Sequence, residues 1–267
     1  SAHFIARDTT LSLGGTIAFD STVPSSLKVD GSINLAILQL LNRDLLASGR
    51  ARVSATVRGT VAKPDINGRM ELNNASLFLP DFPNGVDNAN GVVTFDRSRA
   101  TIQSLSAETG GGKISFSGFV GFGALLIYHV EATADQVRYR TADGSSFTAN
   151  ALLNLVGTSE NSVLSGSVSL IRANLPPLTD LGSLVAASSR PAITVEQSNQ
   201  YLRGIHLDIS IESAQSLEVR TSLARDLQTS IDLRLRGTPQ LPSLLGSVTV
   251  NKGEIEFFAT RYTIDLG

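Results

Sequence analysis

Cysteine is absent from this chain, so disulfides, thiolate catalysis and thiolate metal sites drop out at once. Tryptophan is absent too, there is a single methionine, and aromatic residues make up only 6% of the sequence. The 42% that is hydrophobic is therefore mostly Ala, Val, Ile and Leu, a composition suited to pleated surfaces more than to a bulky enzyme core. No apolar run reaches the roughly 18 to 20 residues that a membrane-spanning helix requires. Charge of either sign is not in excess: 22 basic against 24 acidic residues give a net charge of −2, which offers nucleic acid no basic footprint.

Chemistry-bearing constellations are missing as well. His3, His129 and His206 are scattered and fit no metal-ligand spacing, and no G-x-S-x-G elbow occurs. Gly110-Gly111-Gly112-Lys113 resembles a phosphate loop but lacks glycine at Ala107 and Ser or Thr at Ile114. Gly121-Phe122-Gly123-Ala124-Leu125-Leu126 lacks the last glycine of a dinucleotide fingerprint. Both stretches are predicted turns, because glycine adopts positive φ at little cost. Asp208 and Glu212 flank Ser210 on one polar strand face, where a charged, solvated surface accounts for them without catalysis. The expectation is a non-enzymatic protein with no catalytic residue, cofactor or metal.

What the chain does have is alternation. Ala51, Val53, Ala55 and Val57 alternate with Arg50, Arg52, Ser54, Thr56 and Arg58; Leu207, Ile209 and Ile211 alternate with Asp208 and Ser210. Ile231, Leu233 and Leu235 alternate with Asp232, Arg234 and Arg236. Period two with one greasy and one charged face predicts strands of a half-buried sheet. Ile114 and Phe116, and Val248 and Val250, continue the pattern. Lys252-Gly253 bends the chain before Ile255 and Phe257 resume it. The arginines in the row Arg50, Arg52 and Arg58 suggest a phosphate strip, but a solvated outer face is the preferred reading, because Lys and Arg usually occupy exposed positions.

A unit recurs. Gly237-Thr238-Pro239 followed by Leu244-Leu245-Gly246-Ser247-Val248-Thr249-Val250 has a counterpart in Gly59-Thr60, Pro64 and Ile66-Asn67-Gly68-Arg69-Met70. Gly157-Thr158 with Leu164-Ser165-Gly166-Ser167-Val168 repeats it without proline, and Val29-Asp30-Gly31-Ser32-Ile33 is fainter. The Gly-Thr pairs lie 98 and 80 residues apart, related units without a strict solenoid period. The second glycine of each unit is predicted to open a strand. Short Gly- and Asn-bearing connections, including Asn84-Gly85, Asn90-Gly91 and Asp143-Gly144, predict mostly antiparallel neighbours. Residues 36–46 are the best helical candidate, with Ile37, Leu38, Leu41 and Leu45 on one side to pack against the sheet end. Residues 174–200, with Pro176-Pro177 and Ser188-Ser189-Arg190-Pro191, are the candidate loop or short helix interrupting the sheet. The chain otherwise reads as one continuous β segment over 1–267. It starts at Ser1-Ala2-His3 and stops within a strand pattern, so a longer parent is expected.

The order Gly-Thr, proline, Gly-Ser-Val-x-Val, Lys252-Gly253-Glu254-Ile255-Glu256-Phe257 and Arg261-Tyr262-Thr263-Ile264 resembles the C-terminal region of the TamB family, within the AsmA-like group of envelope proteins. The triple glycine with Lys113-Ile114-Ser115-Phe116-Ser117-Gly118 is similar to a recurring element of that family. The likeness covers nearly the whole chain and is strongest over 201–264. The usual closing Gly-x-Ile-x-Phe strand is missing, and the 174–200 insertion has no counterpart in the pattern. The resemblance implies an all-β, elongated, U-shaped β-taco groove of mostly antiparallel strands with a hydrophobic concave face. It implies the periplasmic part of an inner-membrane-anchored protein, touching membranes through parts of the parent chain outside this stretch. The implied work is phospholipid transport between inner and outer membranes, with acyl chains in the groove. The alternative is chaperone-like assembly of outer-membrane proteins or autotransporters with an Omp85-type, TamA-like barrel partner. Under the first reading the lining is the alternating set Ala51, Val53, Ala55, Val57, Ile114, Phe116, Leu207, Ile209, Ile211, Ile231, Leu233, Leu235, Val248, Val250, Ile255 and Phe257.

Overall fold

The computed structural model describes residues 2–6, 8–16, 24–40, 44–60, 63–79, 82–123, 125–141, 144–175, 204–220, 224–257 and 260–265. They form strands β1 (Ala2–Ala6), β2 (Thr9–Thr16), β3 (Ser25–Asn34), β4 (Leu46–Thr60), β5 (Lys63–Leu79), β6 (Phe82–Arg97), β7 (Arg99–Thr109) and β8 (Gly112–Gly121). There follow β9 (Ile127–Arg140), β10 (Ser146–Thr158), β11 (Ser162–Asn174), β12 (Ile205–Arg220), β13 (Ala224–Gly237), β14 (Pro242–Phe257) and β15 (Thr260–Asp265). Strand order in the sheet is the order in the chain, β1 through β15, with β1 and β15 its edges among the described residues. The fold is all-β, open and mostly antiparallel. The backbone forms two compact units: residues 1–133 with 154–159, and residues 134–153 with 160–267.

From β1 to β8 and from β11 to β15 every pair is antiparallel except β11–β12, which is parallel with Ser162 opposite Ile205. A parallel pair needs a long connection, and this one spans the expected 174–200 interruption. Apart from Asn174, which ends β11, and Leu175, that segment lies outside the described residues. Where β12 begins beside the start of β11, the Ser162 amide donates to the Gly204 carbonyl at 2.8 Å.

Several short expected strands merge into long ones. β5 runs through from Lys63 to Leu79, and both Asn84-Gly85 and Asn90-Gly91, expected as connections, lie inside β6 instead of separating strands. The cause is a set of bulges at asparagine, which tolerates positive φ better than most residues. Asn74 has φ 46° and Asn88 φ 50°, and the Asn74 amide donates to Asn90 Oδ1 at 3.0 Å. By contrast Gly110-Gly111, with φ of 58° and 79°, makes the expected tight hairpin turn between β7 and β8. The chain also turns at Gly144, whose amide donates to the Thr141 carbonyl.

The expected helix over 36–46 is a 3-10 helix at Leu35–Leu40, with none of its residues buried and Leu40 82% exposed. Asn34 Oδ1 accepts from the Ala36 amide and caps it. Leu46 already belongs to β4, so the apolar periodicity at 45 and beyond serves the sheet.

The recurring unit is a β-hairpin. Its second glycine, expected to open a strand, sits several residues inside one: Gly31 in β3, Gly68 in β5, Gly166 in β11 and Gly246 in β14. Gly68 pairs with Ala55 and Gly246 with Leu233, each partner four residues before the Gly-Thr glycine of the same unit. Gly31 pairs with Leu11, four before Gly15-Thr16, so the faint copy is complete and its Gly-Thr pair was overlooked in the sequence. At Gly68, φ is +156° and an added Cβ would lie 2.5 Å from Ala55 Cα and 2.7 Å from Ala55 Cβ. Glycine there lets the strand kink against its neighbour, a device by which sheets curve. Gly68→Ala is expected to cost about 1–3 kcal/mol. Gly14→Ala, where nothing lies within 4 Å, is expected to be neutral; thermal unfolding followed by far-UV circular dichroism separates the two.

Candidate functional site: an apolar sheet face

In the first unit, directly paired residues share a face, and the registers line apolar side chains up in rows across strands. One row runs Leu13, Val29, Ala55, Gly68, Phe95, Ala100, Val120 from β2 to β8. Beside it lie Leu11, Gly31, Val53, Met70, Val93, Ile102, Gly118, and then Ile33, Ala51, Leu72, Gly91, Leu105, Phe116. Val57 pairs with Leu27 and Ile66, and Ile114 with Ala107. Ala51, Val53, Ala55, Val57, Ile114 and Phe116 thus stand on one face of this unit.

The second unit repeats the arrangement. Gly166, Ile209, Leu235 and Leu244 form one row and Val168, Ile211, Leu233 and Gly246 the next. Leu164 and Leu207 flank the first row, Ile231 pairs with Val248, and Thr229 with Val250. A bulge puts Gln228 opposite Lys252, so the alternation shifts by one and Ile255 comes into register with Ala224 and Tyr262. Phe257 pairs with Thr260. The side chains of Ile255 and Phe257 lie outside the described part. The faces of β9 and β10 also alternate, a feature overlooked in the sequence although Tyr128, Val130, Ala132 and Ala134 display it.

These apolar rows are not sealed. Among the described residues the buried apolar set is Ala47, Ala51, Ala75, Ala107, Ala173, Ile209 and Leu217, mostly small. Ile209 apart, the larger aliphatics of the rows are half-buried or exposed, Val248 by 56%. Two stacked sheets would bury such side chains fully.

The opposite face is polar and locally paired. In the first unit Arg69 Nε donates to Glu71 at 2.8 Å, Arg52 lies 3.9 Å from the same carboxylate, and Ser54 Oγ donates to Asp30 at 2.8 Å. Arg50, Arg52 and Arg58 are exposed, a solvated row. In the second unit Arg234 grips Asp208 through Nε at 2.7 Å and a second guanidinium nitrogen at 2.8 Å, with Arg236 at 3.6 Å. Asp208 and Glu212 are four residues apart along one strand, about 13 Å, too far for a carboxylate pair. Among the described residues no cluster of three metal-ligating side chains occurs, and no helix is long and apolar enough to cross a membrane.

An open, mostly antiparallel sheet with one unsealed aliphatic face and one ion-paired face defines a class of extended β-scaffold. The model of the TamB C-terminal domain matches residues 2–174 and 103–267, and the chain belongs to that family. The family comprises envelope proteins that act without catalysis in the translocation and assembly module together with TamA. No curated protein and no solved structure matches the chain.

The hydrogen bonds from Arg234 hold the Asp208 carboxyl below its ordinary value of 3.8; partial desolvation opposes them, and the charges of Arg234 and Arg236 add to them. A depressed native pKa stabilises the fold above the unfolded value and loses that contribution as pH falls through the native one. The pair is solvent-facing, so its contribution is small. Asp208→Asn is expected to lower the unfolding midpoint by about 1–2 °C at neutral pH. The difference is expected to shrink below pH 3.8 and vanish once the native carboxyl is protonated; a thermal unfolding series against pH measures it.

Proposed function

We propose that the apolar face conducts phospholipid acyl chains between the inner and outer membranes, as a periplasmic trough. The supporting observation is that within each unit large aliphatic side chains stand in rows and, Ile209 apart, remain partly exposed. An uncovered apolar face of this extent calls for an occupant. A buried methylene gains about 0.8 kcal/mol, so a chain of ~16 carbons gains on the order of 12 kcal/mol. Aliphatic walls without directional polar contacts hold that chain and let it slide. The proposed lining is Ala51, Val53, Ala55, Val57, Ile114, Phe116, Leu207, Ile209, Ile211, Ile231, Leu233, Leu235, Val248 and Val250, with Ile255 and Phe257 continuing it by register. Membrane anchorage belongs to parts of a parent chain outside these residues.

The test places a charge on each face. Leu233→Asp sets a carboxylate among sliding hydrocarbon, at a cost of a few kcal/mol to a bound chain, while an open face leaves the charge partial access to water. The variant is expected to fold, with phospholipid seen by native mass spectrometry reduced at least about tenfold. Thr249→Asp, on the polar face, is expected to retain lipid. A folded Leu233→Asp variant that keeps its lipid would refute the conduit, and one that cannot fold would argue for a closed core.

A second reading, assembly of outer-membrane strands beside a TamA-like barrel, draws on the same unsealed apolar face, which would take the aliphatic side chains of a nascent strand; β15, which among the described residues pairs with β14, is where its backbone would be sought. An added strand would continue the ladder there. Protection of the β15 amides from hydrogen exchange by a nascent outer-membrane hairpin is its expected sign, and unchanged exchange would dismiss it.

A further inference from the structure

Phe119 breaks the polar face of the first unit. Its row reads Ser12, Asp30, Ser54, Arg69, Thr94, Thr101 and then Phe119. The guanidinium of Arg99 sits over its ring, 4.1 Å from the centroid. His129 stacks on the same ring, centroids 5.3 Å apart and 12° from parallel. Among the described residues Arg99 has no carboxylate partner, unlike Arg69 and Arg234. Arg99 and Phe119 border a pocket of about 740 Å³ whose walls include Phe122, Leu125, Ile127 and Thr158. That volume is in the range of small-molecule sites, about 300–1,000 Å³. Leu125 and Ile127 are 39% and 50% exposed, a large apolar surface for the polar side of a sheet.

We propose that this pocket binds a single-chain amphipathic anion, with the carboxylate or phosphate head on Arg99 and the chain against Phe122, Leu125 and Ile127. A guanidinium stacked on an aromatic ring is held in place while its N–H edge stays free to donate in plane. An ionised oxygen head gives it charge-assisted hydrogen bonds. A small hydrophilic anion would leave the leucine and isoleucine surface wet, and a neutral chain would leave the guanidinium unsatisfied. Only a ligand with both parts satisfies both halves of the pocket. Phe119 alternates with Gly118 and Val120, which stand in the apolar rows, so the site lies on the opposite face and does not rest on the conduit reading.

The chain contains no tryptophan, so Leu125→Trp supplies a single fluorescent reporter on the rim and Phe122→Trp a second. Titration of either with octanoate, octyl phosphate and 1-octanol, below micellar concentrations, is expected to give saturable shifts with an anion. The alcohol is expected to bind at least about tenfold more weakly. Arg99→Gln in the reporter background is expected to weaken the anion about tenfold or more, and Arg99→Lys to recover only part, because an ammonium lacks the planar stack. Preference between octanoate and octyl phosphate tells whether a fatty acid or a phospholipid-type head is the source. Equal binding of the alcohol, unchanged anion affinity in Arg99→Gln, or no saturable shift in either reporter would overturn the proposal. Leu233→Asp is expected to leave these titrations unchanged, so the fate of the conduit does not decide this site.

Discussion

Cross-strand register is the constraint on which the rest of this structure depends. A side chain in a sheet has only two directions, and a slip of one residue exchanges them for a whole strand. In the first unit seven consecutive strands, β2 to β8, meet with Leu13, Val29, Ala55, Gly68, Phe95, Ala100 and Val120 abreast. In the second, Ile209, Leu235 and Leu244 meet in the same way. The charged partners Asp208 and Arg234 reinforce that register from the other face, since their bidentate contact requires Ser210 to stand opposite Arg234 and Asp208 opposite Arg236. Where the alternation fails, bulges repair it: the register of β13 with β14 shifts between Gln228 and Thr229 and shifts back between Arg225 and Gln228, where Ile255 meets Ala224.

Such a register produces a face, and the burial pattern says what sort of face it is. Small alanines are buried while, Ile209 apart, the leucines, valines and isoleucines of the rows stay partly accessible. Hydrophobic stabilisation scales with area removed from water, so this sheet holds together through its ladders and lateral side-chain contacts and leaves apolar area uncovered. A trough that carries hydrocarbon would use that remainder. The aliphatic composition suits it, because an aromatic or hydrogen-bonding wall would hold a chain at one place. The Arg99–Phe119–His129 stack is the converse case: aromatic, charged and local, with the ingredients of a specific site.

The hairpin unit shows how a long open sheet is assembled from repeated local solutions. Each Gly-Thr pair closes a strand and each interior glycine accepts the close approach of the preceding strand. Gly31, Gly68, Gly166 and Gly246 all have positive φ, from 131° to 156°. A side chain at these positions would overlap a neighbouring carbonyl. The glycines stand within the apolar rows beside larger residues such as Phe95 and Ile209, which cover the gap that a missing side chain leaves.

Much of this was legible in the chain itself. Alternation in residues 50–58, 207–211 and 231–236 named the two faces, because period two is a property of any strand, whatever it packs against. The hairpin repeat was visible as spaced glycines. What only the tertiary structure decided was everything that depends on a strand's neighbour. The interior place of the glycines, the asparagine bulges that fuse short strands into β5 and β6, and the parallel step from β11 to β12 are properties of pairing. Within the helical spacing of residues 36–46, the described part holds a 3-10 helix up to Leu40, and Leu46 is taken up by β4. The Arg99, Phe119 and His129 stack joins residues up to 30 positions apart through the register of β7, β8 and β9. No spacing along the chain encodes it, since register is set between strands and not within one.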